Sequence, residues 1–259
     1  MSSTEEYYNE KSSDYERGLE NLYFKVYDAI TWKYTEPYVP ADPQALVLDA
    51  GGGTGRWAVQ MARKGCKVFL LDISEGMLAL AQAKVNQEKL QDRVIIKKGS
   101  ILNPDFPSET FDLVFCEHAL FLFQDPSKVV KALARVLKRN SLMVISAQNK
   151  YSLALAYLPD DPEKALELLS GKYLHKLGNL QVNTLTPKEF RDILETNGLK
   201  VEKTIGKGVT MPLRISPDVY SKKAYAAEFF KAVLQIELAL CESDTLTVAG
   251  HLQAIVRKL

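Results

Sequence analysis

A chain of 259 residues, 46% of them hydrophobic, can bury one substantial core. With 33 Lys and Arg against 32 Asp and Glu, a formal charge of +1 and a pI near 7.6, it lacks the field that draws proteins to nucleic acid or anionic lipid. No run approaches the ~18 apolar residues of a membrane span, the N-terminus is too polar for a signal peptide, and Cys66, Cys116 and Cys241 form no disulfide or metal-binding spacing, so a soluble cytoplasmic protein with reduced thiols, no membrane partner and no metal is expected.

The chain opens with residues 1–40, charged but rich in tyrosine, in which 23–32 read as an amphipathic helix. From 46 onward short apolar runs alternate with segments of helical period, the pattern of an α/β domain with a parallel sheet. Strands are expected at 46–49, 67–71, 94–97, 111–116 and 142–147, short and rich in β-branched or aromatic residues, as strands covered on both faces are. Helices are expected at 75–88 and 127–138. In the second, Val129, Leu133, Val136 and Leu137 recur at helical spacing behind an Asp125-Pro126 cap. Thr186-Pro187-Lys188-Glu189 is a capping box opening a helix that ends before Gly198. Residues 199–205 then read as a strand, 217–241 as a long helix and 251–257 as a last strand. The stretches 1–40, 148–185 and much of 206–243 stand outside the alternation and are expected to cover the end of the sheet where α/β folds place ligands.

The most informative string is Asp49-Ala50-Gly51-Gly52-Gly53-Thr54-Gly55, where a strand runs into closely spaced glycines and then a helix. Glycine permits the turn and removes the Cβ atoms that would keep a ligand off the loop. A P-loop is excluded because no Gly-Lys-Ser/Thr follows Gly55. Asp72, ending the strand Val68-Phe69-Leu70-Leu71, is placed to accept both hydroxyls of a ribose. Glycine loop plus strand-end acid implies an adenosine-containing cofactor.

In these residues the chain resembles the class I S-adenosylmethionine-dependent methyltransferases of the small-molecule type. The resemblance rests on Asp49, Gly51, Gly53 and Gly55, on Leu71-Asp72-Ile73-Ser74-Glu75-Gly76-Met77-Leu78, on Phe111-Asp112-Leu113-Val114 and on Leu133-Ala134-Arg135-Val136-Leu137-Lys138. It implies a Rossmann-like, seven-stranded, mostly parallel sheet with an antiparallel last strand, helices on both faces, and helical N-terminal and inserted lid segments. One domain, 1–259, would comprise an N-terminal cover (1–40), a cofactor-binding core (41–147) and lid segments (148–185 and 206–243). Asp49 and the Gly51, Gly53 and Gly55 loop would face the methionine moiety of S-adenosyl-L-methionine, Asp72 the ribose, and Ile73 with Met77 the adenine. Ser100 and Ile101 stand where the family commonly carries an acid that reads the adenine amino group.

Glu117 and His118, just past the fourth strand, would lie between cofactor and substrate, with Glu117 also a cofactor contact and both open to a catalytic role. For His118 a hydrogen-bonded structural role stands beside catalysis, and for His175 and His251 the structural role leads. Tyr23, Tyr27 and Trp32 are candidates to close over the ligands, with packing on the core as the alternative. The resemblance implies methyl transfer to an O, N or S atom of a small molecule. Nucleic acid is disfavoured because the Asn/Asp-Pro-Pro-Tyr signature is replaced by Cys116-Glu117-His118-Ala119. A protein or tRNA acceptor, a nicotinamide-dependent oxidoreductase and a non-catalytic nucleotide-binding protein are the remaining readings.

Overall fold

The computed structural model describes residues 3–171, 175–177, 180–209, 227–241 and 244–259. Seven strands form one sheet: β1 (Leu46–Ala50), β2 (Lys67–Asp72), β3 (Val94–Lys98), β4 (Phe111–Cys116), β5 (Leu137–Gln148), and, beyond a small hairpin of β6 (His175–Leu177) and β7 (Leu180–Val182), β8 (Leu199–Lys207) and β9 (His251–Lys258). The order is β3-β2-β1-β4-β5-β9-β8. The pairs among β1 to β5 are parallel, and β9 runs antiparallel to both β5 and β8. This is the Rossmann-like sheet with an antiparallel last strand that the motifs imply.

The strands alternate with α3 (Arg56–Arg63), α4 (Glu75–Gln87), α5 (Pro126–Val136) and α8 (Pro187–Thr196). Local chemistry sets where these helices start. The Ser74 hydroxyl accepts the Met77 N–H, Asp125 accepts from Lys128 ahead of Pro126, and Thr186 with Glu189 closes the expected capping box. Two apolar layers cover the sheet. One joins β4 and β5 to α5 and α8 through Phe111, Leu133 and Phe190; the other joins β1 and β2 to α3 and α4 through Val47, Trp57 and Ala81. Both faces are covered, so the strands need no polar alternation.

One element departs from expectation. The helix expected over 127–138 stops at Val136, because Leu137 pairs with Phe111 and begins β5 five residues early. A register shift between Phe111 and Leu113, with Asn140 at φ 60°, then takes up the polar residues before Leu142. The inserted segment after β5 folds as α6 (Lys150–Tyr157), α7 (Pro162–Leu169) and the β6–β7 hairpin. Of the helix expected over 217–241, residues 217–226 lie outside the described residues. The remainder forms α9 (Ala227–Leu240), which packs Val233 against Val26, Ile30 and Tyr34 of α2 (Leu22–Thr35).

The N-terminal residues form α1 (Ser3–Gly18). Asn9 ties this helix to the start of α4, its Oδ1 accepting from the Ser74 hydroxyl at 2.8 Å and the Gly76 N–H at 3.0 Å. Ion pairs from Lys98 to Glu5 at 2.9 Å and from Lys84 to Glu16 at 2.8 Å flank that contact. No described helix is long and apolar enough to cross a membrane.

Candidate functional site

A cavity of about 700 Å³ opens at the carboxyl ends of β1 to β4, where open α/β sheets take ligands. Its floor is the glycine loop. Gly53 sits at φ 53°, and a Cβ built on it would meet no atom within 4 Å, so the loop presents bare backbone to the cavity. Gly55, at φ 77°, serves packing instead, since its Cβ would come within 3.0 Å of Ala81.

Asp72 lines the cavity with its carboxylate held by the loop. Oδ2 accepts the Gly53 N–H and Oδ1 the Ser74 N–H, each at 2.9 Å. Each oxygen keeps a lone pair for a ligand. Burial pushes its carboxyl above the ordinary range, against the pull of those hydrogen bonds. Ile73, Met77, Ile101 and Leu102 form an apolar slot beside it, and Ser100 lines the cavity with its hydroxyl accepting the Leu102 N–H at 3.2 Å.

Asp49 does not face the cavity as expected. It is 1% exposed and lies beneath the loop, where a Cβ on Gly52 would come within 2.8 Å of its Oδ2. That oxygen has no hydrogen-bond partner among the described residues. Burial raises its carboxyl to about 7, although the Ala58 N–H pulls it down. Asp49 and Gly55 therefore shape the loop from behind, while Gly51, Gly53, Asp72, Ile73, Met77, Ser100 and Ile101 line the space itself.

Beyond β4, Glu117 and His118 both border the cavity. Glu117 is anchored on one oxygen: Oε1 receives Lys207 Nζ at 2.9 Å and the Tyr27 hydroxyl at 2.5 Å, and Oε2 is buried without a partner among the described residues. Burial would raise its carboxyl, but the Lys207 ammonium and the Tyr27 hydrogen bond hold it below the ordinary value. Lys207 also donates to Thr31 and to Gln253, each at 2.9 Å, and lies 4.1 Å from the centre of the Tyr27 ring. The His118 backbone has φ 55° and its N–H donates to Ser146 Oγ at 3.1 Å. Burial, reinforced by His251 and Lys207, holds the His118 ring well below its ordinary value and hence neutral.

Of the three aromatic residues proposed to close over the ligands, none lines the cavity. Trp32 stacks on Trp57 at 6.4 Å, Tyr27 is buried behind Glu117, and Tyr23 sits 3.4 Å from His251 Nδ1 through its hydroxyl. Phe24 is the α2 residue that borders the cavity, because α2 turns that face inward. Tyr7, Tyr8, Lys11 and Tyr15 of α1 close another side, so the cover expected of residues 1–40 is built chiefly by α1. From 148–185, Gln148 and Val182 reach the cavity; no described residue of 206–243 does. His175 lies in the β6–β7 hairpin.

His251, assigned a structural role from sequence, borders the cavity with its ring stacked on His118 at 4.6 Å. The register explains it: His251 is paired with Gln148 on one side and Lys207 on the other. Because β9 is antiparallel, its first residue lands at the carboxyl end of the other strands. The meeting of Lys207 with His251 is not legible in the sequence, since only this pairing brings them together.

Residues 48–145 match the family model described as a methyltransferase domain. Over these residues the chain carries a methyltransferase domain on a Rossmann-like sheet. The chain is 35% identical to a demethylmenaquinone methyltransferase of Lactiplantibacillus plantarum over 115 residues, 43% of this chain and 48% of that protein. It is 24% identical to a tRNA 5-carboxymethoxyuridine methyltransferase of Escherichia coli K12 over 228 residues, 83% of this chain and 81% of that one. In the first alignment the chain spans about half the length of its relative. Among solved structures, a Thermotoga maritima S-adenosylmethionine-dependent methyltransferase described as a possible histamine N-methyltransferase superposes with a TM-score of 0.63, at 17% identity, over 97% of this chain and 98% of that one.

The cofactor of class I methyltransferase domains is S-adenosylmethionine, and the cavity fits it by its own chemistry. Gly53 leaves open space where a side chain would stand, Asp72 retains acceptor capacity for a ribose diol, and the Ile73, Met77 and Ile101 slot suits a flat base. Among the described residues no cluster of three His, Cys, Asp or Glu could hold a metal ion.

Proposed function

We propose that the chain is a cytoplasmic, single-domain enzyme that moves a methyl group from S-adenosylmethionine to an O, N or S atom of a small molecule. The observation that carries this reading is one cavity bordered by Gly53 and Asp72 at one end and by Glu117, His118 and His251 at the other. Its volume of about 700 Å³ lies in the range of small-molecule sites, roughly 300–1,000 Å³. Three buried free thiols suit a reducing compartment.

Bound S-adenosylmethionine supplies a methyl group already activated on sulfur. The work left to the chain is orientation and exclusion of water. Asp72 would hold the ribose, the loop at Gly51 and Gly53 the methionine end, and the apolar slot the adenine. Phe24 and the α1 tyrosines would keep water from the transfer site.

A second reading, a tRNA acceptor, draws on the relative that aligns over 83% of the chain and is named for a tRNA substrate. The net charge of +1 counts against it. Incubation with cofactor labelled on the methyl group, against a metabolite library in one arm and total tRNA in the other, tests both. Label in a small molecule supports the first reading, label in tRNA the second, and label in neither, with S-adenosylhomocysteine bound, leaves a binding protein.

A further inference from the structure

The end of the cavity opposite Asp72 is an aromatic box with two imidazoles at its centre. His118 and His251 stack with centroids 4.6 Å apart and planes at 29°. The Tyr27 ring meets each of them edge-on, at 4.7 and 5.2 Å, and Phe121 stands edge-on to His118 at 6.1 Å. Phe24 closes the box at 6.2 Å from His118. His251 has its Nδ1 within 3.4 Å of the Tyr23 hydroxyl, whereas His118 Nε2 has no hydrogen-bond partner among the described residues.

The charges around this box cancel in pairs. Lys207 is matched by Glu117 at 2.9 Å, and Arg56 by both oxygens of Asp28 at 2.6 Å. Two imidazoles enclosed by aromatic rings next to a buried ammonium resist acquiring a proton. Burial takes the His251 ring down to about 4, and His118 is lowered by the same cause. A neutral imidazole with an unused nitrogen lone pair is a hydrogen-bond acceptor that wants an uncharged donor. The ring faces select a flat partner of matching polarity.

We propose that the His118–His251 pair is the acceptor-recognition end of the cavity and selects an uncharged aromatic hydroxyl compound, whose O–H donates to His118. The inference rests on the methyltransferase reading of the same cavity. It narrows the acceptor from O, N or S to oxygen on a planar ring. An ammonium compound is disfavoured because Glu117 and Asp28, the carboxylates beside the box, already have cationic partners. Forming the O–CH3 bond would break the cofactor's S–CH3 bond and release the hydroxyl proton, by way of His118, to water. The Tyr23 hydroxyl fixes the His251 ring, and the stack fixes His118, so His251 acts here as a positioning residue.

Binding can be read without knowing the natural acceptor. The probes are 2-naphthol, 2-methoxynaphthalene and protonated 2-(aminomethyl)naphthalene, titrated by fluorescence into the full chain saturated with S-adenosylhomocysteine. The expected result is 2-naphthol binding at least tenfold more tightly than the other two, with a shift of the His118 imidazole nitrogen resonance on 2-naphthol addition alone. In His118→Gly, which relieves the left-handed backbone as it removes the ring, and in His251→Phe, which keeps the stack's shape, the preference should fall below threefold. His118→Asn, tolerant of positive φ and retaining an acceptor oxygen, should recover part of it. Equal affinities in the parent chain, a preference for the ammonium probe, binding of none of the three, or a preference that survives His118→Gly would each overturn the inference. Failure of S-adenosylhomocysteine itself to bind would instead strike the methyltransferase reading.

Discussion

Lys207 and Glu117 form an ion pair at 2.9 Å in which their side chains are 0% and 1% exposed. The pair joins the end of β8 to the residue after β4 across two intervening strands. Removing one partner strands the other charge in a low dielectric, which costs about 3–5 kcal/mol. Lys207→Met should therefore lower stability in urea by about that much, and Lys207→Met with Glu117→Gln should recover most of it. A double variant as unstable as the single one would mean that Lys207 matters through its packing on Tyr27.

Asp72→Ala removes an acceptor that also anchors the Gly53 and Ser74 amides. Each charged hydrogen bond lost costs about 1.5–3 kcal/mol, so affinity for S-adenosylhomocysteine should fall between tenfold and several hundredfold by calorimetry. Unchanged affinity would place the ribose elsewhere.

Gly52 and Gly53 are neighbours with opposite expected phenotypes. A Cβ on Gly52 would lie 2.7 Å from Leu70 and 2.8 Å from Asp49, so Gly52→Ala should lower the melting temperature by several degrees. Gly53→Val meets no protein atom but fills ligand space at a left-handed φ, so it should abolish S-adenosylhomocysteine binding with a smaller thermal cost. Circular dichroism and a binding titration separate the two.

Asp49 makes the ligand-free protein sensitive to pH. Its folded carboxyl is raised by burial from 3.8 to about 7, so between those values the native state holds a proton that the unfolded state has lost. Stability attributable to Asp49 is then greatest below pH 4 and declines as pH rises to 7. Asp28, raised to about 6, adds the same sign, whereas His251, lowered to about 4, adds the opposite. The difference between Asp49→Asn and the parent isolates one group: the variant should gain, relative to the parent, on the order of 4 kcal/mol between pH 4 and pH 8. A flat difference curve would mean that Asp49 is ionised in the fold.

Asn9 carries two hydrogen bonds that dock α1 on α4. At about 1 kcal/mol each, their loss in Asn9→Ala should speed amide exchange across residues 3–18 while leaving β1 and β4 protected. Added S-adenosylhomocysteine should slow exchange in that same segment of the parent chain, because α1 tyrosines border the cavity. Exchange indifferent to both changes would make α1 ordinary packing.

How much could be read beforehand depended on the range of the interactions. Gly53 and Asp72 declare themselves locally, the one by a turn only glycine makes easily and the other by ending an apolar strand. Thr186 with Glu189 and Asp125 with Pro126 likewise carry their structural meaning within four residues. Lys207 looked like one of many lysines because its partners, Thr31, Glu117 and Gln253, lie on three other elements. The place of His251 is hidden for the same reason, being fixed by pairing with β5 and β8. Trp32 leaves both readings open in the sequence, because an aromatic near a site is as readily a wall of the core, here against Trp57.

The antiparallel course of β9 also orders events during synthesis. Tyr23 and His251, 228 positions apart, meet just behind the wall of the cavity, and β9 lies between β5 and β8. A nascent chain halted at residue 207 could already carry the glycine loop, Asp72 and Glu117, yet β5 and β8 would have no strand to bridge them. Cofactor-binding competence could thus precede acceptor recognition on the ribosome, with the second imidazole arriving only when the last strand is threaded into its slot.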